Sequence, residues 1–292
     1  MNKGSDAMKI TILGSGGYLR IPRACCPCNV CGEARKKGVP YERLGQSMFI
    51  DDESILFDTP EDINTELNRQ GVKEVKHIFY SHWHPDHTKG VRIIETIKNT
   101  MDNVTPGDVE SRPIKDPIQV YVPEKDFDVF KEKNPHLFYF EQCGFCKVNV
   151  MKKNEEVSIG KIRIKPIDLD NSFAFGYMIT EGSKKIAFVP CHAEKLKAKE
   201  ELDGLDLLIM NLGFFTTDVK DYKKIPEGHQ ELRETGFEKD NLRLIRELKP
   251  RKTVLTHIEE KWSRSYADYC RLEKEHKKDN LKFSYDGMKI KV

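Results

Sequence analysis

The stretch Ser81-His82-Trp83-His84-Pro85-Asp86-His87 places three imidazoles and one carboxylate within six positions, 82 to 87. Imidazole and carboxylate together suit divalent zinc, manganese or iron, and a site that keeps open coordination positions can ionise water for hydrolysis. A lone histidine is ordinarily a satisfied core or surface residue, and His77, His136 and His276 read that way. Three imidazoles crowded together near neutral pH need compensation, which a bound cation supplies. Eight cysteines are a second source of chemistry. Cys26, Cys28 and Cys31 offer three thiolates on a short Pro-containing loop, most of a closed structural zinc site that still lacks a fourth ligand. Cys143 and Cys146 have the Cys-x-x-Cys spacing without a second pair and read as core or surface thiols, and Cys270 has no partner in sequence.

The elements around these residues must hold them in place. Residues 75–80, rich in β-branched and aromatic side chains, predict a buried strand that runs into the histidine cluster. Pro85 and Gly90 mark a turn, and the spacing over 91–97 predicts a helix, so the ligands project from a strand-to-helix loop. Residues 8–13 predict a first strand ending in Gly14-Ser15-Gly16-Gly17, a tight turn without the helix or spacing of a dinucleotide fingerprint. Residues 47–52 and 54–58 predict a hairpin, followed by a helix over 60–70 with Asp58 and Thr59 as candidate caps. Residues 99–115 read as a loop, and the segment 124–150 gives no clear period until a strand near its end. Further strands are expected at 118–122, 161–165, 175–180, 185–189, 205–210 and 253–256, the last ending at His257. A charged helix is expected over 238–248, and 283–290 reads as a closing hairpin through Asp286-Gly287. Strands mixed with helices, with polar groups at strand ends, imply an α/β architecture of sheets with helices outside.

A length of 292 residues gives room for a sizeable core, expected as one domain over 8–292. A charged fraction of 33% against 38% hydrophobic describes a soluble protein, while a net charge of +2 is too small to argue for a nucleic-acid partner. No apolar run reaches membrane-spanning length, and the polar first residues lack the apolar core of a secretion signal, so no membrane partner and a cytoplasmic location are expected. In that setting the cysteines need no disulfide framework.

Taken together, these motifs resemble the metallo-β-lactamase superfamily. The resemblance covers nearly the whole chain: the Gly-rich first turn, Phe57-Asp58-Thr59, the His-x-His-x-Asp-His run, and His257 after a late strand. It implies a four-layer αββα sandwich with metal at the sheet edge. Cys26-x-Cys28-x-x-Cys31, Phe175-Gly176-Tyr177, Gly228-His229-Gln230, Leu255-Thr256-His257 and Asp286-Gly287 look most like its phosphoribosyl cyclic phosphate phosphodiesterases of phosphonate breakdown. On that resemblance His82 and His84 hold one metal, and Asp86, His87 and His257 a second. Asp58 then orients a ligand histidine, an alternative to its reading as a cap. Asp86 also orients the attacking water, and His229 protonates the leaving oxygen; without the resemblance, His229 reads as an exposed histidine in a charged loop.

Three positions depart from the family pattern. Asp170 stands where the family has a histidine, with Asp168 near enough to compete as a ligand. Cys191 stands where the family has a bridging aspartate, with His192 beside it, and either side chain could bind a metal. Glu260 stands where the family completes its structural zinc site with histidine, and Cys25 is the alternative fourth ligand. The implied activity is that of a metal-dependent hydrolase acting on a small, cyclic phosphodiester, with one or two zinc or manganese ions at the active site and a structural zinc. Alternatives are hydrolysis of another ester, a lactam or a thioester, or a non-catalytic metal- or cofactor-binding protein. The expected partner is a small-molecule phosphodiester, and a homodimer stays open.

Overall fold

The computed structural model describes residues 7–100, 114–197, 200–220 and 222–292. In chain order the strands are β1 (Lys9–Gly14), β2 (Ser47–Ile50), β3 (Ile55–Phe57), β4 (His77–Phe79), β5 (Ile118–Pro123), β6 (Cys146–Met151), β7 (Val157–Ile159) and β8 (Ile162–Asp168). They continue as β9 (Phe175–Glu181), β10 (Lys184–Val189), β11 (Leu207–Asn211), β12 (Thr217–Val219), β13 (Tyr222–Lys224), β14 (Thr253–Thr256), β15 (Leu281–Phe283) and β16 (Met288–Lys291). One seven-stranded sheet has the order β16-β1-β2-β3-β4-β5-β6, a second has β15-β14-β11-β10-β9-β8-β7, and β12 pairs with β13.

Strand periodicity explains why the sheets lie in the middle. Side chains alternate between the two faces of a strand. In β3, Ile55 and Phe57 join the core shared with Phe188 and Ile209 of the second sheet, while Leu56 turns to the opposite side, against Ile63 and Leu67. In β10, Ile186 and Phe188 enter that shared core, while Ala187 and Val189 pack with Leu244 and Ile245. Each sheet is therefore buried on both faces, which requires helices outside and gives the expected αββα layering. No helix of the described residues is long and apolar enough to cross a membrane.

The direction of the strands creates the site. β3 and β4 run parallel, as do β10, β11 and β14, so their C-terminal ends lie at common sheet edges. Just past those ends come Asp58, Ser81 and His82, Cys191, and His257. The two edges are tied together: Phe175 N–H donates to the Ser81 carbonyl at 2.9 Å, and the Tyr177 hydroxyl to the Tyr80 carbonyl at 2.6 Å.

Several expectations are corrected. Residues 283–290 are no hairpin, because β15 lies in the second sheet and β16 in the first. The Asp286-Gly287 turn crosses between them, and buried Asp286 accepts from Ser15 N–H at 2.9 Å and Leu44 N–H at 2.8 Å. The helix expected over 60–70 runs Ile63–Gln70 and begins after Asp62, so neither Asp58 nor Thr59 caps it. The helix expected over 91–97 is broken into Pro85–Thr88, a tighter turn at Lys89–Arg92, and Ile93–Lys98. Gly90 N–H bonds the Thr59 carbonyl at 2.8 Å, and a Cβ at Gly90 would collide with the Pro60 carbonyl, so this segment is pulled against the β3 exit. The aperiodic segment contains two short helices, Phe127–Lys133 and Pro135–Gln142, separated at Asn134-Pro135. Helix Leu242–Leu248 is preceded by a wide turn at Phe237–Asn241. Unanticipated helices follow the cysteine loop at Asn29–Lys37 and, opened by a Ser265–Asp268 capping box, at Tyr266–Glu275. The loop expected over 99–115 falls largely outside the described residues.

Candidate metal centre

Asp58 is the anchor of the site. It is fully buried, with one carboxylate oxygen 2.7 Å from Ser81 N–H and the other accepting from Ser81 Oγ–H at 2.8 Å and lying 2.8 Å from His87 Nδ1. Ser81 Oγ also lies 3.0 Å from His82 Nδ1. With their Nδ1 atoms held this way, His82 and His87 turn Nε2 inward; the buried His82 Nε2 has no hydrogen-bond partner, and His87 Nε2 faces the Asp86 carboxylate at 3.3 Å. Buried imidazole nitrogens are ordinarily satisfied. Nitrogens left open, with the opposite ring atom fixed by a carboxylate or hydroxyl, are how metal-binding histidines are prepared.

Two sets of donors converge. His82, His87 and Cys191 bring one ligand atom each within 4.8 Å of one another, as do Asp86, His87 and His257. His84 stacks beside His82 with ring centroids 4.7 Å apart, and lines the cavity without joining either set. Burial would raise the Asp86 carboxyl, but His87 and His257, each with Nε2 3.3 Å from Asp86 Oδ2, hold it far below the usual carboxylate range. Burial depresses His84 to about 4, reinforced by His82, so its imidazole is neutral and free to donate a lone pair at neutral pH. Burial would also raise Cys191, yet its imidazole neighbours His192, His82 and His87 bring the thiol well below its ordinary value. The donor set therefore fits a divalent cation, and a thiolate among imidazoles favours zinc over manganese.

Three residues of this edge have a left-handed backbone. Asp58, His192 and His257 have φ of 60°, 57° and 58°, the left-handed region that non-glycine residues seldom enter. Gly17 packs so close to this edge that an added Cβ would stand 2.7 Å from His257 Nδ1. The Gly-rich turn is needed for that approach, not for a nucleotide.

Other expected residues are placed differently. The Asp170 carboxylate meets Lys197 Nζ at 2.5 Å and joins no metal-ligand group among the described residues. Asp168 is held by Lys125 and Lys153. Both are drawn to surface lysines, away from the histidines. In their stead Phe173 lays its ring 4.7 Å from His84, 4.8 Å from His192 and 5.4 Å from His82. His229 does not line the cavity: its Nδ1 accepts from Glu231 N–H at 3.2 Å at the start of a short turn, and the wall begins at Gln230. Sequence reasoning missed Glu194 and Glu234, which form a further group with His192. His192 and Glu194 are neighbours in one turn, but Glu234 comes from a distant segment that no spacing rule links to them.

The cysteine loop forms its own cluster with Glu260. Cys26 and Cys28 Sγ lie 3.2 and 3.1 Å from Glu260 Oε1, and Cys31 completes the group. Cys25 is exposed and outside it, its φ of 56° turning it away from the following cysteines. Three thiolates and a carboxylate fit a closed zinc site with excess negative charge. Lys220 Nζ, 3.1 Å from Cys26 Sγ, and Arg23 Nε, 3.7 Å from Glu260 Oε2, offset that excess. Glu260 follows His257 by three residues, so this cluster fixes the loop on which His257 stands.

A cavity of about 680 Å³ opens onto the histidine edge, lined in part by Tyr18, Asp86, Cys191, His257 and Trp262. Its other charges are Glu61, Glu231, Glu234, Glu259 and Lys261, and Lys261 Nζ is already paired with Glu231 at 2.6 Å and Glu259 at 3.0 Å.

Comparison with known proteins agrees with this architecture. No curated protein matches the chain. Among solved structures, a diphosphatase of the PhnP family superposes with a TM-score of 0.68 at 20% identity, covering 98% of this chain and 97% of that one. Zinc-bound PqqB from Methylobacterium extorquens gives 0.71 at 16% identity over 98% and 100%. The short form of human tRNase Z gives 0.56 at 16% over 97% and 98%. At these identities the likeness is one of fold. The beta-lactamase superfamily domain model matches residues 53–258, from the β3 strand through His257 and most of the chain, and the protein belongs to that superfamily.

Proposed function

We propose that the protein is a metal-dependent hydrolase of small phosphodiesters. The observation that carries this reading is the convergence of the buried Nε2 atoms of His82 and His87, the first without a hydrogen-bond partner and the second facing Asp86, with His257 and Cys191 at a cavity. His82, His84, Asp86, His87, Cys191 and His257 would hold one or two divalent ions. A bound ion supplies Lewis acidity toward a phosphoryl oxygen and lowers the pKa of water toward about 7. The protein does the rest. Asp58 and Ser81 fix the rings of His82 and His87. Asp86, kept ionised by its two imidazole neighbours, is the acceptor available to orient an attacking water. Phe173, Phe214 and Trp262 form an apolar wall that limits water around the reacting centre.

Size and charge argue for a small diester. Small-molecule cavities run from roughly 300 to 1,000 Å³, and this one lies within that span. Carboxylates outnumber free cations on its wall, which opposes a polyphosphate tail or RNA strand. Cyclic phosphates, bis-aryl phosphates, carboxylic esters and thioesters assayed side by side test the reading. Turnover confined to the phosphodiesters supports it, and turnover of carboxylic esters or thioesters alone overturns it.

A further inference from the structure

We propose that His192, oriented by Glu194 and Thr235, supplies the ligand that position 170 does not, so that His82, His84 and His192 form the nitrogen face of one metal position. The inference rests on the reading of this edge as a metal site. His192 repeats the preparation of His82 and His87. Its Nδ1 is 3.3 Å from Glu194 Oε1, and its Nε2 is buried without a hydrogen-bond partner. The carboxylate is itself fixed: Thr235 Oγ–H donates to Glu194 Oε2, and Thr235 Oγ1 in turn accepts from Asn211 Nδ2 at 3.1 Å, at the end of β11. Asn211 also accepts from Ala193 N–H at 2.9 Å, clamping the backbone beside His192. Asp58 with His87 and Glu194 with His192 are thus alike, each carboxylate meeting Nδ1 of its ring.

The ring lies at the same edge as His82 and His84, while its donor atoms group with Glu194 and Glu234 rather than with theirs. The His192 and His82 centroids lie 6.3 Å apart, and Phe173 packs against His82, His84 and His192 alike. Asp170 meanwhile is one-third exposed and paired with Lys197. Placed beside Cys191, His192 also puts the thiolate between the two nitrogen faces, since Cys191 shares a ligand group with His82 and His87. Glu194 and Thr235 are positioning residues in this account. Glu234 joins the same group, and the carboxylate within hydrogen-bond distance of the ring's Nδ1 is that of Glu194.

The test is metal content of the full chain, purified without chelator and dialysed, measured per chain by mass spectrometry and by zinc titration against a competing dye. His192→Gly is the informative variant, because glycine accepts the φ of 57° at no cost and leaves space for a free ring. It should lose one equivalent of zinc relative to the parent and regain it when imidazole is added. Glu194→Gln should keep the stoichiometry with affinity about 10- to 100-fold weaker. Asp170→Asn and Glu234→Gln should match the parent. Parental zinc in His192→Gly, or loss of zinc in Asp170→Asn, overturns the inference. Equal weakening by Glu234→Gln and Glu194→Gln also overturns it, making His192, Glu194 and Glu234 a cation position of their own. A parent that binds no zinc beyond what Cys28→Ser removes would refute the metal reading of the edge itself, a different result from each of these.

Discussion

Replacing Asp58 by asparagine separates the electrostatic work of this residue from its shape. Asparagine tolerates the φ of 60° nearly as well as aspartate and fills the same volume. Its carbonyl oxygen can keep the 2.7 Å bond from Ser81 N–H. The amide nitrogen then stands where Oδ2 was, 2.8 Å from both Ser81 Oγ and His87 Nδ1. The serine hydroxyl can rotate to accept, since it has another neighbour in His82 Nδ1 at 3.0 Å. The imidazole has one neutral solution: Nδ1 becomes the acceptor, and the proton moves to Nε2, the atom aimed at the metal. A neutral ring protonated there cannot donate its lone pair, so zinc affinity should fall about 10- to 100-fold, or roughly 1.4–2.8 kcal/mol. Stability of the metal-free protein should change by no more than about 2 kcal/mol, because each contact keeps a partner. Asp58→Ala, which orphans the buried donors, should cost about 3–6 kcal/mol in the metal-free protein. Zinc titration and denaturant melts of metal-free protein read the two effects separately. Parental zinc affinity in Asp58→Asn would refute the claim that this carboxylate sets the ring's tautomer.

Further outcomes follow from other parts of the molecule. Cys28→Ser should release one zinc and lower the melting temperature without abolishing zinc at the histidine edge, measured by metal analysis and calorimetry; unchanged metal content would remove the structural zinc reading. His229→Ala should retain most phosphodiester turnover, since the ring lies off the cavity wall, and a drop of about 100-fold or more would restore it as the proton donor. Burial raises Asp286 from its ordinary 3.8 to about 6, against the opposing bonds from Leu44 and Ser15. Because the folded pKa is the higher one, the folded state holds the proton more tightly, and ionisation becomes a cost as pH rises from about 4 through 6. The stability of the parent relative to Asp286→Asn should therefore fall by about 2 kcal/mol between pH 4 and 7, whatever constant offset the amide brings. A pH-independent difference in urea melts would contradict this.

Much of the fold was legible because its signals are local. The strand before His82 and the His-x-His-x-Asp-His run are contiguous, and the β-branched stretches at β9, β10 and β14 declare themselves by composition. What failed depends on distant partners. An Asp-Gly pair looks the same whether it turns a hairpin or crosses between sheets; only Ser15 and Leu44, far away in sequence, decide that Asp286 crosses. Asp58 before a helix reads equally as a cap or an orienting carboxylate until Ser81 and His87 are seen to claim both oxygens. Matching position 170 to a histidine family assumed that a ligand lost at one place is replaced there. Phe173 fills that side instead, and another oriented imidazole stands at His192, where Glu194 lies two residues on but the Thr235 that fixes it is far away in sequence.

The most direct test of the account is a metal add-back titration with a phosphodiester as substrate. Protein stripped by chelator and dialysed should be inactive toward bis-aryl and cyclic phosphates, and should regain turnover as zinc is added, in proportion to the metal bound at the histidine edge. His87→Ala should abolish that recovery while leaving the zinc of the cysteine cluster in place. Phosphodiester turnover that survives metal removal, or is unaffected by His87→Ala, would contradict the account.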